Sequence, residues 1–366
     1  MLYVKLNLDG SFTSSRCDIN VICLGLNSNC FYQLSLELDM DLESREFGSF
    51  GRVSSLTLGG GGIGQVWGST TREEAIATVK LALDEGINHF DLAPMYGRGE
   101  AERVIGLAFL GRDLSGIKFT TKCLLGNVPA EDVYDSLNYS LTRSLDLMNL
   151  EKIDLFLLHS QLVEEEFLLG SKVKNAQRFM LPLNLFFESV IPAFERLQSE
   201  GKIGGWGFGL GQPQALDRAM GHNVRPSAVQ CVINPLNSAG GMARFLQGFN
   251  PNQVLENCLK HNISVLGIRA LQAGALTAGF DRDLSLDDPD KNDFDRARGF
   301  RRLAKDLGES PAALSYRYAL SISGVSSIIL GVKNRAELAE ALEAASKPRL
   351  SSEEMDRITQ SFKALV

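Results

Sequence analysis

Four ionisable side chains stand at or just after the ends of predicted β-strands, where their types and spacing could support proton transfer. Asp91, Lys122 and His159 end three successive strands, and Tyr96 follows Asp91 in the next loop. A phenol titrates at about pH 10, and a neighbouring ammonium group such as that of Lys122 would lower this pKa. Asp91 would keep Lys122 charged and oriented, while His159 would direct a carbonyl oxygen and help to relay the proton.

This set of residues suits the reduction of a carbonyl group, in which hydride arrives at carbon while negative charge develops on oxygen. No side chain supplies hydride, so the chemistry requires a nicotinamide cofactor. Each residue alone has an ordinary alternative, because a strand-terminal Asp often caps a helix, a Lys is usually solvated and a single His is often a core residue. The convergence of all four on one rim is what favours a catalytic site.

The elements that must position these residues alternate after residue 45 between short β-rich runs and amphipathic segments, which is typical of a parallel sheet covered by helices. Eight such units predict an α/β fold, the (β/α)8 TIM barrel, whose active site lies at the C-terminal ends of the strands. The predicted strands are 54–60, 86–91, 117–122, 152–159, 202–209, 227–232, 263–268 and 326–330. The predicted helices are one that begins after Thr71 and ends before Gly86, and others near 131–147, 189–200, 212–220, 251–261, 299–308, 311–322 and 335–346.

Local patterns refine this prediction at three places. Thr71 and Glu74 have the spacing of a capping box at the start of the first helix. The segments 160–188 and 280–298 are longer than ordinary loops and lack the composition of flexible linkers, so we expect them to cover a ligand within a single domain.

A glycine-rich segment offers a competing fold. Residues 59–64, GGGGIG, fit the G-x-G-x-x-G pattern of a Rossmann dinucleotide site, with Asp84 and Glu85 at the distance expected for its acidic residue. That motif needs its last glycine inside the following helix, but here the next helix has its own cap at Thr71. We therefore interpret the glycines as residues that let the backbone turn at a crowded barrel mouth.

The composition is that of a folded globular protein, with 44% hydrophobic and 22% charged residues among 366. The formal net charge of −7 argues against a nucleic-acid partner held through its phosphates. Six cysteines without a C-x-x-C pair favour a reducing compartment and give no metal-ligand pattern, and no apolar run is long enough for a membrane helix. We expect a cytoplasmic protein with a small-molecule substrate, without a membrane or metal partner. Residues 1–43 show no helical or strand period, so a disordered N-terminal extension is predicted ahead of a domain at 44–366.

Several segments together resemble the aldo-keto reductase family. SREFGSFGRVSSLTLG (44–59) is similar to the family's opening β-hairpin across the barrel bottom, NHFDLAPMYGRGEAERVIG (88–106) to its Asp and Tyr segment, and RSLDLMNLEKIDLFLLHS (143–160) to its His strand. The resemblance implies a barrel closed below by that hairpin and an NAD(P)(H)-dependent oxidoreductase acting on an aldehyde, a ketone or the lactol form of a sugar. It also implies a catalytic tetrad of Asp91, Tyr96, Lys122 and His159, with Tyr96 as general acid or base.

The resemblance further implies a set of cofactor contacts. Gln230 matches the residue that binds the nicotinamide carboxamide, and the segment after the last strand matches the one that cradles the adenosine phosphate. The expected cofactor-binding residues are Gly209, Gln230, Ile268, Arg269, Gly331, Lys333, Asn334, Arg335 and Glu337. Lys333 and Arg335 favour NADP(H) over NAD(H) because they suit a 2′-phosphate, the alternative being two solvated cations at a helix start.

The chain departs from the family pattern at several of these positions. Gly209 and Leu210 replace a Ser-Asn pair that contacts the carboxamide, and Ile268 stands where many members stack an aromatic ring. Glu337 replaces a Gln or Arg, and Ala341 replaces an Asn. A carboxylate at position 337 could accept a ribose 2′-hydroxyl, which keeps NAD(H) open as the cofactor.

Two other functions remain open at this point. One is a regulatory subunit that binds the cofactor with little turnover, as the potassium-channel β subunits of the family suggest; the other is a sugar dehydrogenase, for which Glu337 is the hint. Cys123 follows Lys122 and could be an activated thiol. Alternation along the strand turns its side chain outward, so we predict a buried structural cysteine.

Overall fold

The computed structural model describes residues 42–363 except 172, 244, 245, 247 and 281, so the predicted extension lies outside the described residues up to position 41. A short antiparallel hairpin comes first, and eight parallel strands then close into a barrel in which neighbours follow chain order. The hairpin strands are β1 (Ser44–Glu46) and β2 (Arg52–Ser54), and the remaining strands are β3 (Leu56–Gly59), β4 (His89–Asp91), β5 (Lys118–Cys123), β6 (Ile153–Leu158), β7 (Gln161–Val163), β8 (Met180–Pro182), β9 (Ile203–Phe208), β10 (Ala228–Val232), β11 (Ser264–Ile268) and β12 (Val325–Leu330). All of these except the hairpin and β7–β8 belong to the barrel, and all eight predicted strands are confirmed.

Helices cover the outside of the barrel between successive strands, and every predicted helix is present. The α-helices are α1 (Gly60–Ile63), α2 (Arg72–Asp84), α3 (Glu100–Ala108), α4 (Val133–Met148), α5 (Glu165–Gly170), α6 (Ala176–Phe179), α7 (Leu183–Leu185), α8 (Ile191–Ser199), α9 (Pro213–Met220), α10 (Pro251–Lys260), α11 (Pro289–Arg296), α12 (Arg298–Asp306), α13 (Pro311–Ser321), α14 (Arg335–Ser346) and α15 (Ser352–Ser361). Short 3₁₀ turns lie at Gly48–Phe50, Tyr96–Gly99, Ala130–Asp132, Gly240–Ala243 and Gln272–Gly274, and a π-helical turn lies at Phe186–Val190. Within the described ranges, no helix has both the length and the apolar character that crossing a membrane requires.

Helix α2 shows how the sequence sets an element's start. Thr71 Oγ1 accepts a hydrogen bond from the backbone N–H of Glu74 at 3.1 Å, which satisfies one of the free donors of the first turn. The second bond of the predicted capping box, in which the Glu74 side chain would accept from the Thr71 backbone N–H, is wrong. The Glu74 carboxylate instead accepts from the guanidinium and the backbone N–H of Arg335. A charge-assisted, bidentate pair competes successfully with a single bond to a backbone amide.

The two segments predicted as long loops contain secondary structure of their own. The first holds β7 and β8, which pair in parallel and bury Val163 and Met180, together with helices α5 to α7. The second holds α11 and leads into α12. Short paired strands satisfy backbone groups that a bare loop would leave to water, which explains why so long a segment can pack onto the barrel.

Apolar side chains fill the lower barrel and the hairpin covers it, as the resemblance implied. Phe47 is fully buried and belongs to one cluster with Leu155, Leu157 and Leu266. A polar layer also lies in the barrel, where the two ring nitrogens of His89 bond to the hydroxyls of Thr57 and Thr120 at 2.9 and 2.8 Å. The polar groups of this layer satisfy one another, which removes most of the cost of burying them.

The glycine-rich segment ends β3 and forms the short helix α1, and its glycines are needed for close packing. A Cβ on Gly62 would overlap the carbonyl oxygen of Val332, and one on Gly64 would lie 2.8 Å from the carbonyl oxygen of Gly60. The interpretation of these residues as a tight turn at the barrel mouth is confirmed. The closed barrel excludes the Rossmann alternative, whose sheet is open.

Candidate active site

The barrel brings Asp91, Lys122 and Tyr96 together at the C-terminal ends of the strands. Asp91 is the last residue of β4, Lys122 the penultimate residue of β5, and Tyr96 the first residue of the 3₁₀ turn after β4. Lys122 Nζ donates to Asp91 Oδ2 at 2.6 Å, to the Leu92 carbonyl oxygen at 2.7 Å and to the Tyr96 hydroxyl oxygen at 3.3 Å. The ammonium group is therefore fixed between a carboxylate and a phenol.

His159 lies directly after β6 and faces the same phenol. Its ring and that of Tyr96 are edge to face with centroids 6.0 Å apart, and its backbone N–H donates to the Cys123 carbonyl oxygen at 2.8 Å. Burial, and then the charge of Lys122, lower the pKa of His159 to about 3. A neutral imidazole at this position can donate one hydrogen bond to a carbonyl oxygen beside the phenol.

Burial also governs the protonation of the phenol and the ammonium group. Burial raises the pKa of Tyr96, and the charge of Lys122 opposes this shift without reversing it. The expected net lowering of the phenol pKa is thus wrong, because desolvation of a phenolate outweighs the attraction of one ammonium group. Burial disfavours the charged form of Lys122 as well, but Asp91 and Tyr96 together outweigh it and raise the pKa of Lys122. At neutral pH the site presents a protonated phenol next to a charged ammonium group.

Gln230 and Gly209 come together beside this trio. Gln230 in β10 is buried, and its Nε2 donates to Asp91 Oδ1 at 2.9 Å. Gly209 follows β9 and lies against Gln230 with room for a side chain. Leu210, which replaces the family's Asn, is buried in an apolar cluster that includes residues of the segment 160–188, and its carbonyl oxygen accepts from the Leu162 backbone N–H at 3.1 Å.

Ile268 and Arg269 end β11 in different surroundings. Ile268 packs against the same apolar cluster as Leu210. Arg269 is held by Asp290 at 2.8 Å and by the Gln272 side-chain oxygen at 2.8 Å, so its guanidinium group fastens helix α11 to the end of the strand. The abundance of Asp and Arg in 280–298 thus reflects, at least at this position, a buried ion pair within the chain.

The segment after β12 forms the start of α14, and its charged groups are already paired. Lys333 Nζ lies 2.9 Å from Glu337 Oε1, and Arg335 lies 2.9 Å from Glu74 Oε2. Asn334 caps the helix by accepting from the Glu337 backbone N–H at 2.9 Å. Gly331, the first residue after β12, lies against the ring of Trp67. The cofactor residues expected in this segment therefore lie together, and their side chains with Glu74 carry two positive and two negative charges.

Cys123 is buried on the outer face of β5, as alternation predicted. Burial raises the pKa of its thiol to about 11. A thiol of this kind is almost wholly protonated at neutral pH and is a poor nucleophile. The structural role predicted for Cys123 is consistent with both observations.

Sequence reasoning did not find several contacts of the site. The carbonyl oxygen of Leu92 carries no sequence signal because it is a backbone group, and the bond from Gln230 to Asp91 joins strands that are distant in the chain. Trp67 is the third missed residue: its ring lies against Gly61 and Gly331, and Arg282 lies 5.9 Å above it. The two glycines opposite a tryptophan are a signal that could have indicated this contact.

An open cavity of about 550 Å³ borders the Tyr96 loop, between residues 64–66 and Gly97–Arg98. None of the four tetrad side chains lines it. We therefore place the candidate site at the barrel mouth, where the titratable groups converge.

Comparison with known proteins decides the family. The model of the Aldo/keto reductase family matches residues 55–363, which includes all of the barrel strands. The chain belongs to the aldo/keto reductase family. This is a family of oxidoreductases, and the resemblance stated from the sequence is confirmed.

Relatives and solved structures agree with this assignment. The chain is 25% identical over 323 residues to the L-galactose dehydrogenase of Arabidopsis thaliana, covering 87% of this chain and 92% of that one. It is 23% identical to a D-threo-aldose 1-dehydrogenase of a Pseudomonas species, with 80% and 90% covered, and 24% identical to a putative voltage-gated potassium channel subunit beta of Schizosaccharomyces pombe, with 73% and 77% covered.

Two solved structures share the fold of this chain. The holo form of an aldo-keto reductase from Bacillus halodurans superposes with a TM-score of 0.66 at 19% identity, covering 89% of this chain and 98% of that one. An aldo-keto reductase from Klebsiella pneumoniae in complex with NADPH gives a TM-score of 0.60 at 21% identity, with 88% and 95% covered.

Proposed function

We propose that this aldo/keto reductase is an NAD(P)(H)-dependent enzyme that interconverts an aldehyde, ketone or sugar lactol with the corresponding alcohol or lactone. The observation that carries the proposal is the position of Lys122 Nζ, within hydrogen-bond distance of both the Asp91 carboxylate and the Tyr96 hydroxyl at the mouth of the barrel. In reduction, Tyr96 donates its proton to the carbonyl oxygen, and the ammonium group of Lys122 stabilises the phenolate that forms. In oxidation the phenolate takes the proton back from the alcohol.

His159 would orient the substrate rather than transfer a proton. Its neutral ring, edge-on to Tyr96, can hydrogen-bond the same carbonyl oxygen and hold it near the phenol. Its low pKa argues against a positively charged imidazole at neutral pH. We therefore assign orientation of the substrate to His159 and proton transfer to Tyr96.

A nicotinamide cofactor would supply the hydride, and the residues of the mouth fit one. Gln230 is a buried residue with no hydrogen bond to its Oε1 among the described residues, so this amide oxygen remains as an acceptor beside the tetrad. Gly209 leaves room next to this amide. Gln230 would hold the carboxamide, Gly209 would give it space, and residues 331–337 would hold the adenosine end.

The choice between the two nicotinamide cofactors depends on Lys333 and Arg335. The sequence favours NADP(H) because of these two cations. In the structure each faces a carboxylate, Glu337 and Glu74 respectively, so a 2′-phosphate would compete with these carboxylates for the two cations. We propose NADP(H) as the first cofactor to test, with NAD(H) as the alternative, and dissociation constants for the two oxidised cofactors decide between them.

Sugars are the substrate class that the relatives favour. The L-galactose dehydrogenase and the D-threo-aldose 1-dehydrogenase both act on sugars by their names, and both align with most of this chain. Oxidation of a sugar lactol to a lactone would use the phenolate form of Tyr96 as base. We propose this reaction as the first to test.

The test is turnover of the purified protein with a panel of sugars, aldehydes and ketones, followed through the absorbance of reduced nicotinamide with both cofactors. We expect multiple turnovers with at least one sugar or carbonyl compound. Binding of a cofactor without turnover on any member of the panel would instead support the second candidate, a regulatory subunit. That candidate is favoured by the similarity to the potassium channel subunit beta of Schizosaccharomyces pombe.

The remaining sequence predictions are part of the same proposal. We propose that residues 44–366 act as one catalytic domain in the cytoplasm, with a small-molecule substrate and without a nucleic-acid or membrane partner. The acidic net charge and the few cysteines support this. Fractionation of cells that express the tagged full chain tests the location.

A further inference from the structure

Asp91 has a different partner on each carboxylate oxygen. Lys122 Nζ donates to Oδ2 at 2.6 Å, and Gln230 Nε2 donates to Oδ1 at 2.9 Å. Asp91, Lys122 and Gln230 are all buried, with 2%, 1% and 7% of their surfaces exposed. A buried carboxylate with a donor on each oxygen is held in one orientation.

The orientation of the Gln230 amide follows from this contact. An ionised carboxylate only accepts hydrogen bonds, so the amide must turn its N–H₂ group towards Asp91 and its oxygen away. No other hydrogen bond to Oδ1 of Asp91 is present among the described residues. Removing the amide would therefore leave one oxygen of a buried carboxylate without a donor.

We propose that Gln230 is a positioning residue for proton transfer, which keeps Asp91 ionised and directed at Lys122, and so keeps the ammonium charge next to Tyr96. The proposal rests on the function proposed above. It is separate from the cofactor contact that the resemblance implies for Gln230, because the bond to Asp91 exists without a cofactor. The replacement of the family's Ser-Asn pair by Gly209 and Leu210 removes two polar side chains close to Gln230, which lies against Gly209.

The titratable groups around the buried pair Asp91 and Lys122 determine in which direction the pKa of Tyr96 should change. Tyr96 lies beside Lys122, and the charge of Lys122 also acts on His159, on His89 in the barrel and on Glu102 behind β5. Both histidines have a pKa of about 3 because of burial, so neither changes charge near neutral pH. Burial raises the pKa of Glu102, and its carboxylate accepts a hydrogen bond from Thr121 rather than from Lys122 or Tyr96.

Loss of the Gln230 amide should therefore change the pKa of Tyr96 through Asp91 and Lys122. A carboxylate that has lost a donor binds the proton of Lys122 more tightly, which weakens the positive charge at the phenol. The pKa of Tyr96 then rises. We expect Gln230→Leu to move the titration of this phenol upward by on the order of one pH unit.

The first measurement uses the full chain without cofactor. The ultraviolet difference spectrum of tyrosinate is recorded against pH, and the signal of Tyr96 is obtained by subtracting the Tyr96→Phe protein in the same background. Gln230→Leu is compared with wild type and with Gln198→Leu, which removes an exposed amide on α8. An unchanged titration in Gln230→Leu would overturn the proposal.

The second measurement is the pH profile of turnover in two variants. In Gln230→Glu the new carboxyl group donates to Asp91 Oδ1 while it is protonated, so turnover should approach that of wild type at acid pH and fall as this group ionises. Gln230→Leu should show no such recovery. Parallel profiles for the two variants, with only the cofactor dissociation constant changed, would mean that the amide serves the cofactor alone and would overturn the positioning role.

These outcomes are distinguishable from failure of the proposed function. If Tyr96→Phe turns over as fast as wild type, the assignment of Tyr96 fails, while the titration of the cofactor-free protein still reports whether Gln230 acts on the phenol.

Discussion

At the scale of single residues, Lys122 connects the groups of the candidate site, because its three acceptors are a carboxylate, a carbonyl oxygen and a phenol. The carboxylate keeps the ammonium group charged, and the phenol lies at 3.3 Å, close enough to benefit from that charge. Burial leaves the phenol protonated at neutral pH. In the proposed mechanism the phenolate that burial disfavours is the product of proton donation, so the ammonium group would stabilise the site most at the moment when the proton leaves.

Replacement of Tyr96 by Phe tests the proton donor. Tyr96→Phe should lower kcat by a factor on the order of 10² or more, since a positioned general acid contributes that much, and should leave cofactor affinity nearly unchanged. Steady-state kinetics and a cofactor titration measure the two quantities. Wild-type rates in this variant would contradict the assigned role.

Changes at the adenosine end test the choice of cofactor. Lys333→Ala should weaken NADP(H) roughly tenfold more than NAD(H) if the lysine pairs with a 2′-phosphate. Glu337→Gln should tighten NADP(H) because it removes the negative charge beside Lys333. Glu343→Gln, which changes a carboxylate further along α14, is the control. Equal effects on both cofactors would exclude the phosphate contact.

At the scale of elements, the strands and helices of the barrel could be predicted because hydrophobic period and turn residues are local signals. The ion pair of Glu74 could not be predicted, because its partner Arg335 lies far along the chain and becomes a neighbour only when the barrel closes. The same holds for the bond from Gln230 to Asp91. The secondary structure within 160–188 could not be predicted either, because β7 and β8 have only three residues each, too few for an alternating pattern to be recognised.

The glycine turn between β3 and α2 gives a prediction at this scale. Gly62→Ala should lower the free energy of unfolding by about 2 kcal/mol, since its Cβ would overlap the Val332 carbonyl oxygen and the backbone would have to move. Gly279→Ala is the matched control, because nothing lies within 4 Å of its Cβ position and the change should stay within about 0.5 kcal/mol. Denaturant unfolding measures both, and similar losses would show that space at Gly62 is not limiting.

The molecule as a whole depends on a polar layer inside an apolar barrel. Burial, and to a lesser extent Lys118 and Lys122, lower the pKa of His89 to about 3, and its ring bonds to two threonines. The folded state therefore requires this imidazole to be neutral. The unfolded chain accepts a proton there below about pH 6.5.

Acid should destabilise the protein through this group. The stabilisation is fully present above pH 6.5 and is lost as the pH falls towards 3, because the unfolded state binds the proton first. Between pH 7 and pH 5 the loss from His89 should be about 2 kcal/mol, from roughly 1.4 kcal/mol per pH unit. Unfolding free energies at both pH values for wild type and His89→Gln measure it. The same pH dependence in the two proteins would show that His89 is not responsible.

The placement of indole rings offers an optical consequence. The chain has two tryptophans: Trp206 is buried and stacked on Phe194 at 5.4 Å, whereas Trp67 is half-buried against Gly61 and Gly331 beneath the guanidinium of Arg282. A reduced nicotinamide held as proposed at the barrel mouth would accept fluorescence energy from Trp67, whereas emission from Trp206 reports on the folded interior. Quenching that is lost in Trp67→Phe would show that the fluorescence of Trp67 reports cofactor binding, which could then be measured without a substrate.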